Sequence, residues 1–272
     1  MRNRLITSVI GLPIVIVVVY LGGWLFLLAF TILSCIGLRE VYLAFCKKDR
    51  PIHILGYAFT VAYFGVIYFL GPGYWLLSIL TMFVIAVLAM LVIRYQQIPV
   101  HEAVTTIFGF LYIPFMLSFA VLVRQHYLGL YFIWLIFIIA FGTDSAAYAT
   151  GMTLGKHKLV NTPSPKKSVE GVIGGIVGAG LLGLAYGFFI SRFIDPEDAT
   201  GIIFIVTITC VVGSAFSMIG DMAASAVKRY TKIKDFGNIF PGHGGVVDRA
   251  DSIIVVAPIV YMVMTATIWL FN

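Results

Sequence analysis

The strongest constraint on this chain is a series of apolar runs that are long enough to cross a membrane as helices. A membrane-spanning helix needs about 20 residues. The composition agrees, because a chain that is 61% hydrophobic and 11% charged has too few polar residues to cover a water-soluble globule. We therefore predict an all-α, polytopic membrane protein with about nine transmembrane helices. They are expected at residues 5–22, 24–45, 52–70, 73–94, 102–123, 129–151, 170–190, 201–227 and 252–271.

The basic residues are distributed unevenly among the loops between these runs. If the N-terminus is cytoplasmic, most of the 18 Lys and Arg residues lie in cytoplasmic segments, and the outside loops hold only Arg124 and Arg192. Because Lys and Arg accumulate in cytoplasmic loops, we predict a cytoplasmic N-terminus. The long polar loops 152–169 and 228–251 then share the cytoplasmic face. The net charge of +6 fits either attraction to anionic lipid headgroups or a site for phosphates.

Two aspartates lie within apolar runs, where an ionisable group is costly and therefore a candidate for function. Asp144 lies in FGTDSAAYATG and Asp221 in SMIGDMAASAVKR, and both are flanked by small residues. On one helix Asp221, Ser225 and Lys228 share a face, because they are spaced by four and three residues. This pattern predicts the lining of a polar cavity.

Three other ionisable residues have a weaker claim to function. Arg39 and Glu40 are adjacent in a span, so they point about 100° apart on a helix. They are expected to pair with other helices rather than with each other, either structurally or at a functional site. Glu102 follows His101 near the start of a span, and we expect it to be solvated at the membrane interface.

Asp248 and Asp251 lie three residues apart, on one face of the last helix if that helix begins near Val246. Together with Asp221 they supply carboxylates without matching Cys or His side chains. Such a set suits a hard divalent cation such as Mg²⁺. We therefore predict a metal site formed by Asp221, Asp248 and Asp251. The alternative is that these acids form salt bridges, which could coexist with metal binding, to Lys228, Arg229 and Arg249.

Two loop segments could bind phosphate. The HGG run, His243 to Gly245, precedes a helix start, where backbone N–H groups favour anions, although a Gly-Gly turn also occurs as ordinary loop structure. Lys166 and Lys167 follow two prolines in GKHKLVNTPSPKKSVEG. This lysine pair is either a solvated topological marker or a grip on a triphosphate.

The stretch SAVKRYTKIKDFGNIFPGHGGVVDRAD, residues 225–251, resembles the motif of the phosphatidate cytidylyltransferases, or CDP-diacylglycerol synthases. TDSAAYATG and SPKKSVEG are similar to two further features of that family, so the resemblance covers roughly the C-terminal half. Ala250 departs from the family pattern, which has a larger apolar residue or threonine there. The matching positions are Ser225, Lys228, Arg229, Lys234, Asp235, Gly237, Pro241, His243, Gly244, Gly245, Asp248, Arg249 and Asp251.

The resemblance implies transfer of a cytidylyl group from CTP to phosphatidic acid, giving CDP-diacylglycerol and pyrophosphate in phospholipid biosynthesis, with Mg²⁺ as cofactor. It implies catalytic roles for four residues: Asp221, Asp248, Asp251 and Lys228. It implies substrate binding by eight others: Asp144, Lys167, Ser225, Arg229, His243, Gly244, Gly245 and Arg249.

The resemblance also implies where such an enzyme works and what it meets. We expect a multi-pass protein of the cell (inner) membrane, with its site facing the cytoplasm and the membrane interface. Its partners would be CTP, phosphatidic acid and membrane lipids, with no nucleic acid, and it would form a homodimer. Residues 1–125 are expected to form N-terminal membrane helices, and residues 126–272 the C-terminal helices that carry the site.

Three other functions use similar features. An ion-coupled transporter or Mg²⁺ carrier would also place carboxylates in membrane helices, but here acids and lysines concentrate on one side. An alcohol phosphotransferase that consumes CDP-diacylglycerol would show a DGxxAR run, which is missing from this sequence. A kinase of a polyprenyl alcohol that uses CTP shares fragments of the 225–251 motif.

Overall fold

The computed structural model describes residues 2–159, 162–165, 167–194, 199–239 and 244–271, with side chains from Gly11 to Ala266 except Leu12. Within these ranges the regular structure is helical, apart from isolated bridge positions such as the pair Lys158 and Ser168. A π-helical turn, Leu111–Phe115, joins the fifth and sixth helices at Pro114. The helices are α1 Arg2–Leu21, α2 Gly23–Cys46, α3 His53–Leu70, α4 Tyr74–Ile93, α5 Val100–Phe110, α6 Met116–Gln125, α7 Gly129–Leu154, α8 Val169–Ile194, α9 Ala199–Thr231 and α10 Val247–Phe271.

Eight helical stretches of the described chain are long and apolar enough to cross a membrane, and α5, the π-helical turn and α6 together form one of them. This confirms the prediction of an all-α, polytopic membrane protein. Two of the larger differences from the predicted runs lie beside the long polar loop 228–251. There α9 continues through Lys228 and Arg229 to Thr231, and α10 begins at Val247. Hydropathy missed these ends because their residues are polar although their backbone is helical.

The chain packs as two units, of which the first contains Met1–Gln125 and Thr231–Ala250 and the second contains His126–Tyr230 and Asp251–Asn272. These are units of packing. The functional division into residues 1–125 and 126–272 stays a prediction.

The first unit packs around Tyr42 of α2, whose side chain is fully buried. Its hydroxyl donates to the carbonyl of Thr106 at 3.2 Å, and its ring stacks on His53 with the centroids 4.0 Å apart. A Cβ on Gly56 would strike the Tyr42 phenol, and one on Gly109 would lie 2.7 Å from its ring. These two glycines therefore allow α3 and α5 to approach α2 closely.

Two ionisable residues of this unit, Glu102 and Arg39, have ion-pair partners within the unit. Glu102 is 3% exposed, and the Arg50 guanidinium contacts its carboxylate at 3.0 Å. The expectation that Glu102 is solvated was therefore wrong, because Arg50 supplies the counter-charge that a buried carboxylate needs. Arg39 pairs with Asp49 at 3.3 Å, so it avoids its neighbour Glu40 as expected. The expectation that it reaches another helix was wrong, because Asp49 lies in the loop that follows α2.

The second unit is built on close packing of the glycine-rich helix α8. The GxxxG spacing of Gly174 and Gly178 predicts close helix contact, and a Cβ on Gly178 would strike Ala146 of α7. Further along α8, a Cβ on Gly183 would lie 2.6 Å from that of Cys210 in α9. The glycines of α8 thus serve two neighbouring helices, which confirms their predicted packing role.

Substitution of Gly178 tests this packing. We expect Gly178→Ile to lower the thermal unfolding temperature in detergent, because overpacking a close contact costs about 1–3 kcal/mol. Gly65→Ile in α3 is the matched control, because a Cβ at Gly65 meets nothing within 4 Å. Equal unfolding temperatures for the two variants would contradict the close α7–α8 contact.

Candidate active site

The loop between α7 and α8 holds Lys167 in a fixed backbone position. The carbonyl of Lys167 accepts the N–H of Leu159 at 3.0 Å, and its own N–H donates to the carbonyl of Ser164 at 3.1 Å. Next to it, the N–H of Val169 donates to the carbonyl of His157 at 2.8 Å. The loop therefore folds back on itself and presents Lys167 immediately before α8.

Two side chains attach this loop to the start of α8. The Glu170 carboxylate accepts the backbone N–H of His157 at 3.2 Å and contacts its ring Nδ1 at 2.6 Å. The Ser168 hydroxyl accepts the N–H of Gly171 at 3.1 Å, which caps the helix. Glu170 was not among the candidate residues named from the sequence. A serine followed two residues later by an acid in the first helical turn is, however, a recognisable helix-start signal.

Lys167 forms an ion pair with Asp221, one of the two aspartates that the sequence placed inside a span. Its ammonium nitrogen lies 2.5 Å from Oδ2 of Asp221, and the two side chains are only 25% and 28% exposed. Partial burial reduces screening by water, so this pair is held more strongly than an ion pair at an open surface. The structure thus joins two candidate residues that lie far apart in the sequence.

Two further aspartates belong to the same cluster. Asp251 of α10 interacts electrostatically with the carboxylates of Asp221 and Asp144 and with the ammonium of Lys228. One of its oxygens accepts the N–H of Ser252 at 2.8 Å. Three helices of the second unit, α7, α9 and α10, therefore each contribute one carboxylate. We call Asp144, Asp221 and Asp251 the carboxylate cluster.

Gly220 explains why small residues flank Asp221. A Cβ at Gly220 would lie 2.5 Å from the backbone carbonyl oxygen of Asp251, so α9 and α10 approach each other here almost backbone to backbone. One turn earlier, the Ser252 hydroxyl donates to the carbonyl of Ser217 at 3.3 Å. The close approach brings Asp221 and Asp251 within electrostatic range of each other.

The other predicted cations lie at the ends of these two helices. Lys228 and Arg229 occupy the last turn of α9, with Lys228 half-buried and Arg229 exposed. Ser225, one turn before Arg229, is half-buried, and Arg249 is exposed in the first turn of α10. Their roles in substrate binding stay predictions.

Asp248 and the described part of the HGG run, Gly244 and Gly245, belong to the first unit. One oxygen of Asp248, Oδ2, accepts the N–H groups of Phe236 at 2.7 Å and Gly245 at 3.0 Å. Gly244 has a φ of +83°, a conformation that glycine adopts readily. Because the N–H of Gly245 already has an acceptor, a phosphate at this position would have to replace that bond. The roles predicted for Gly244 and Gly245 stay predictions, and His243 lies outside the described residues.

The carboxylate cluster matches a divalent cation in the kind of donor it offers. Asp144, Asp221 and Asp251 supply only oxygen atoms, which Mg²⁺ prefers. Within the described ranges, no three His, Cys, Asp or Glu side chains are gathered closely enough to hold a metal ion, and Asp221 pairs with Lys167 instead. The donors therefore fit the cation in chemistry, and the metal site stays a prediction.

Comparison with known proteins places the chain in a family. Residues 2–267 match the sequence profile of the cytidylyltransferase family. The chain belongs to this family. The match confirms the resemblance read from residues 225–251 and extends it across the N-terminal half, where the sequence offered only a count of spans.

Similar members of the cytidylyltransferase family come from staphylococci. A phosphatidate cytidylyltransferase of Staphylococcus saprophyticus is 29% identical over 271 residues, covering 97% of this chain and 99% of the relative. Proteins of the same name from Staphylococcus haemolyticus, 28% identical over 268 residues, and Staphylococcus aureus, 29% identical over 271 residues, align over 97% of this chain and 99% of their own lengths.

Proposed function

We propose that this protein transfers the cytidylyl group of CTP to phosphatidic acid, giving CDP-diacylglycerol and pyrophosphate. The observation that carries the proposal is the combination of three carboxylates and two lysines in the second unit of a chain that matches the cytidylyltransferase family over nearly its full length. The relatives named phosphatidate cytidylyltransferase supply the identity of the lipid substrate.

The reaction is a displacement at phosphorus. A phosphate oxygen of phosphatidic acid attacks the α-phosphorus of CTP, and the bond from that phosphorus to the oxygen bridging the β-phosphorus breaks. One P–O bond forms and one breaks, and pyrophosphate leaves with the bridging oxygen. Both reactants are anions, so catalysis depends on positioning and on neutralising charge. No nucleophilic side chain is required, and the proposed site needs none.

The basic residues bring the two anions together. Lys167, fixed by its loop and half-buried, would contact the triphosphate. Lys228, within electrostatic range of Asp251, would neutralise the charge that develops on the leaving pyrophosphate. Arg229 and Arg249, both exposed at helix ends, would attract the nucleotide and the lipid phosphate.

The acidic residues are proposed to hold Mg²⁺. Its ligands would be Asp221, Asp248 and Asp251, with Asp144 as a further ligand or as a partner of the ligands. When bound, the ion would neutralise oxygens of the triphosphate. Asp248 enters this set from the sequence motif, three positions before Asp251 on α10.

The location of the proposed reaction follows from charge and substrate. Cytoplasmic CTP must reach the site from water, and phosphatidic acid must reach it sideways from the bilayer. The excess of Lys and Arg in alternate loops supports a cytoplasmic N-terminus and a cytoplasmic position for both long polar loops. We also propose that the protein acts as a homodimer in the cell membrane, by its resemblance to the family.

Product analysis tests the proposal. The purified protein is incubated with Mg²⁺, phosphatidic acid and CTP labelled in the cytosine ring, and the lipids are extracted. We expect the label to appear in the lipid fraction only when phosphatidic acid is present. Label in a nucleoside diphosphate formed with a polyprenyl alcohol would instead indicate a kinase. No turnover with either lipid, together with Mg²⁺ flux in proteoliposomes, would indicate a transporter.

Removal of the Lys167 ammonium tests its proposed contact with the triphosphate. We expect Lys167→Ala to raise the KM for CTP or to lower kcat by about tenfold, which corresponds to about 1.4 kcal/mol of lost nucleotide binding or of added activation free energy, respectively, while folding is retained. Lys156→Ala is the control, because Lys156 is an exposed cation of the same loop. Unchanged kinetics in Lys167→Ala would identify Lys167 as a topological marker.

Removal of an acidic charge tests the proposed metal ligands. We expect Asp251→Asn and Asp248→Asn each to lose nearly all activity and to require more Mg²⁺, because asparagine keeps an acceptor oxygen but loses the charge. Asp251→Asn is the cleaner variant, because Asp248 also accepts backbone hydrogen bonds.

The control for both is Asp49→Asn, which removes an exposed acid paired with Arg39. Thermal stability and Mg²⁺ titrations are measured on the same preparations. Near-normal turnover with an unshifted Mg²⁺ midpoint would overturn the metal assignment and leave these acids as salt-bridge partners.

A further inference from the structure

Glu40 is a buried carboxylate that the proposed reaction does not use. It lies in α2 and is 5% exposed. Its Oε1 accepts the N–H of Val246 at 2.9 Å, and its Oε2 accepts the N–H of Val247 at 2.9 Å. These N–H groups open α10, where helical N–H groups lack partners within the helix and favour negative charge. Glu40 therefore caps α10 from 206 and 207 residues away in the sequence.

Two glycines leave room for this carboxylate. A Cβ built on Gly237 or on Gly245 would strike the carboxylate oxygens of Glu40. Neither glycine has a positive φ, so space rather than backbone conformation requires glycine at both positions. Gly237 and Gly245 stand at the two ends of residues 237–245, which we call the glycine segment. Both ends therefore leave room for the same side chain of α2, Glu40.

The same contacts reach Asp248. Its Oδ2 accepts the N–H of Gly245, adjacent to the N–H groups that Glu40 accepts, and the N–H of Phe236, adjacent to Gly237. Between them, Asp248 and Glu40 thus accept three consecutive N–H groups: Asp248 accepts that of Gly245, and Glu40 accepts those of Val246 and Val247. A change in the Glu40 carboxylate would move the backbone that fixes the Asp248 side chain.

We propose that Glu40 is a positioning residue for the proposed cytidylyl transfer: it fixes both flanks of the glycine segment and the first turn of α10, and through them the carboxylate of Asp248. This inference rests on the proposed function. It also means that the N–H groups of Val246 and Val247 bind a carboxylate of this chain. Phosphate recognition therefore falls to other groups.

Replacement of Glu40 by glutamine tests the inference, because glutamine keeps the size but turns one acceptor into a donor that faces a backbone N–H. We expect Glu40→Gln to lower kcat by about tenfold and to raise the Mg²⁺ midpoint, with a smaller change in the KM for CTP. Glu40→Asp keeps the negative charge, but its side chain is one methylene shorter and reaches the N–H groups of Val246 and Val247 less well. We therefore expect its kcat to lie between those of Glu40→Gln and wild type.

Glu102→Gln is the matched control. Glu102 is a second buried carboxylate of the same unit, 3% exposed, and its partner is Arg50 rather than the glycine segment. We expect Glu102→Gln to lower the unfolding temperature but to keep kcat within about twofold below that temperature. Equal kcat values for Glu40→Gln and Glu102→Gln would overturn the positioning role and leave Glu40 as a purely structural cap.

A double variant tests the steric part of the inference. Gly245→Ala alone should be nearly inactive, because its methyl group meets Glu40. In a Glu40→Ala background the same substitution has room, so the two effects should be strongly non-additive. Simple additivity of the two losses in kcat would show that Glu40 does not shape the glycine segment.

Amide hydrogen exchange separates this inference from the proposed function. We expect the peptide that contains Val246 and Val247 to exchange faster in Glu40→Gln than in wild type and Glu102→Gln. If the wild-type protein forms no CDP-diacylglycerol, the proposed function fails, and the exchange rates still decide whether Glu40 holds the start of α10. If that peptide exchanged at the same rate in Glu40→Gln as in wild type, Glu40 would not stabilise the start of α10, whatever the activity of the variant.

Discussion

A carboxylate that leaves water in an apolar, membrane-spanning chain must find its counter-charge or its hydrogen-bond donors within that chain. This protein meets the requirement in three ways. Glu102 pairs with the guanidinium of Arg50, Asp221 pairs with the ammonium of Lys167, and Glu40 accepts backbone N–H groups at a helix start. Each solution connects segments that are distant in the sequence, so the acids organise the packing around them.

Glycines make these solutions possible because a carboxylate and its donors need space between closely packed helices. At Gly220 the backbone of α9 comes so near that of α10 that a Cβ would lie 2.5 Å from the Asp251 carbonyl oxygen. At Gly237 and Gly245 the missing side chains leave room for Glu40 itself. Glycine thus serves two purposes around these acids: close backbone approach beside Asp221, and room for a buried charge at the start of α10.

The sequence predicts the spans well because lipid selects for apolar composition, a property that can be read locally. It also identifies Asp144, Asp221 and Lys167 as candidates, because charges within or beside apolar runs are rare. It does not predict that Lys167 pairs with Asp221. It also misjudged Glu102, whose partner Arg50 lies far earlier in the sequence, in the loop between α2 and α3. Glu40 was harder still, because backbone N–H donors are the same in every residue except proline and leave no side-chain signal in the sequence.

The ion pair between Lys167 and Asp221 has a consequence for the order in which charges meet in the proposed reaction. Without nucleotide, the ammonium of Lys167 compensates one member of the carboxylate cluster. A triphosphate carries more negative charge than a single carboxylate and competes for the same ammonium. If Lys167 turned toward the nucleotide, as proposed, Asp221 would lose this partner while Asp144 and Asp251 would remain within electrostatic range of each other. Three carboxylates with less compensation attract a cation more strongly, so arrival of the nucleotide itself would raise the affinity of the cluster for Mg²⁺.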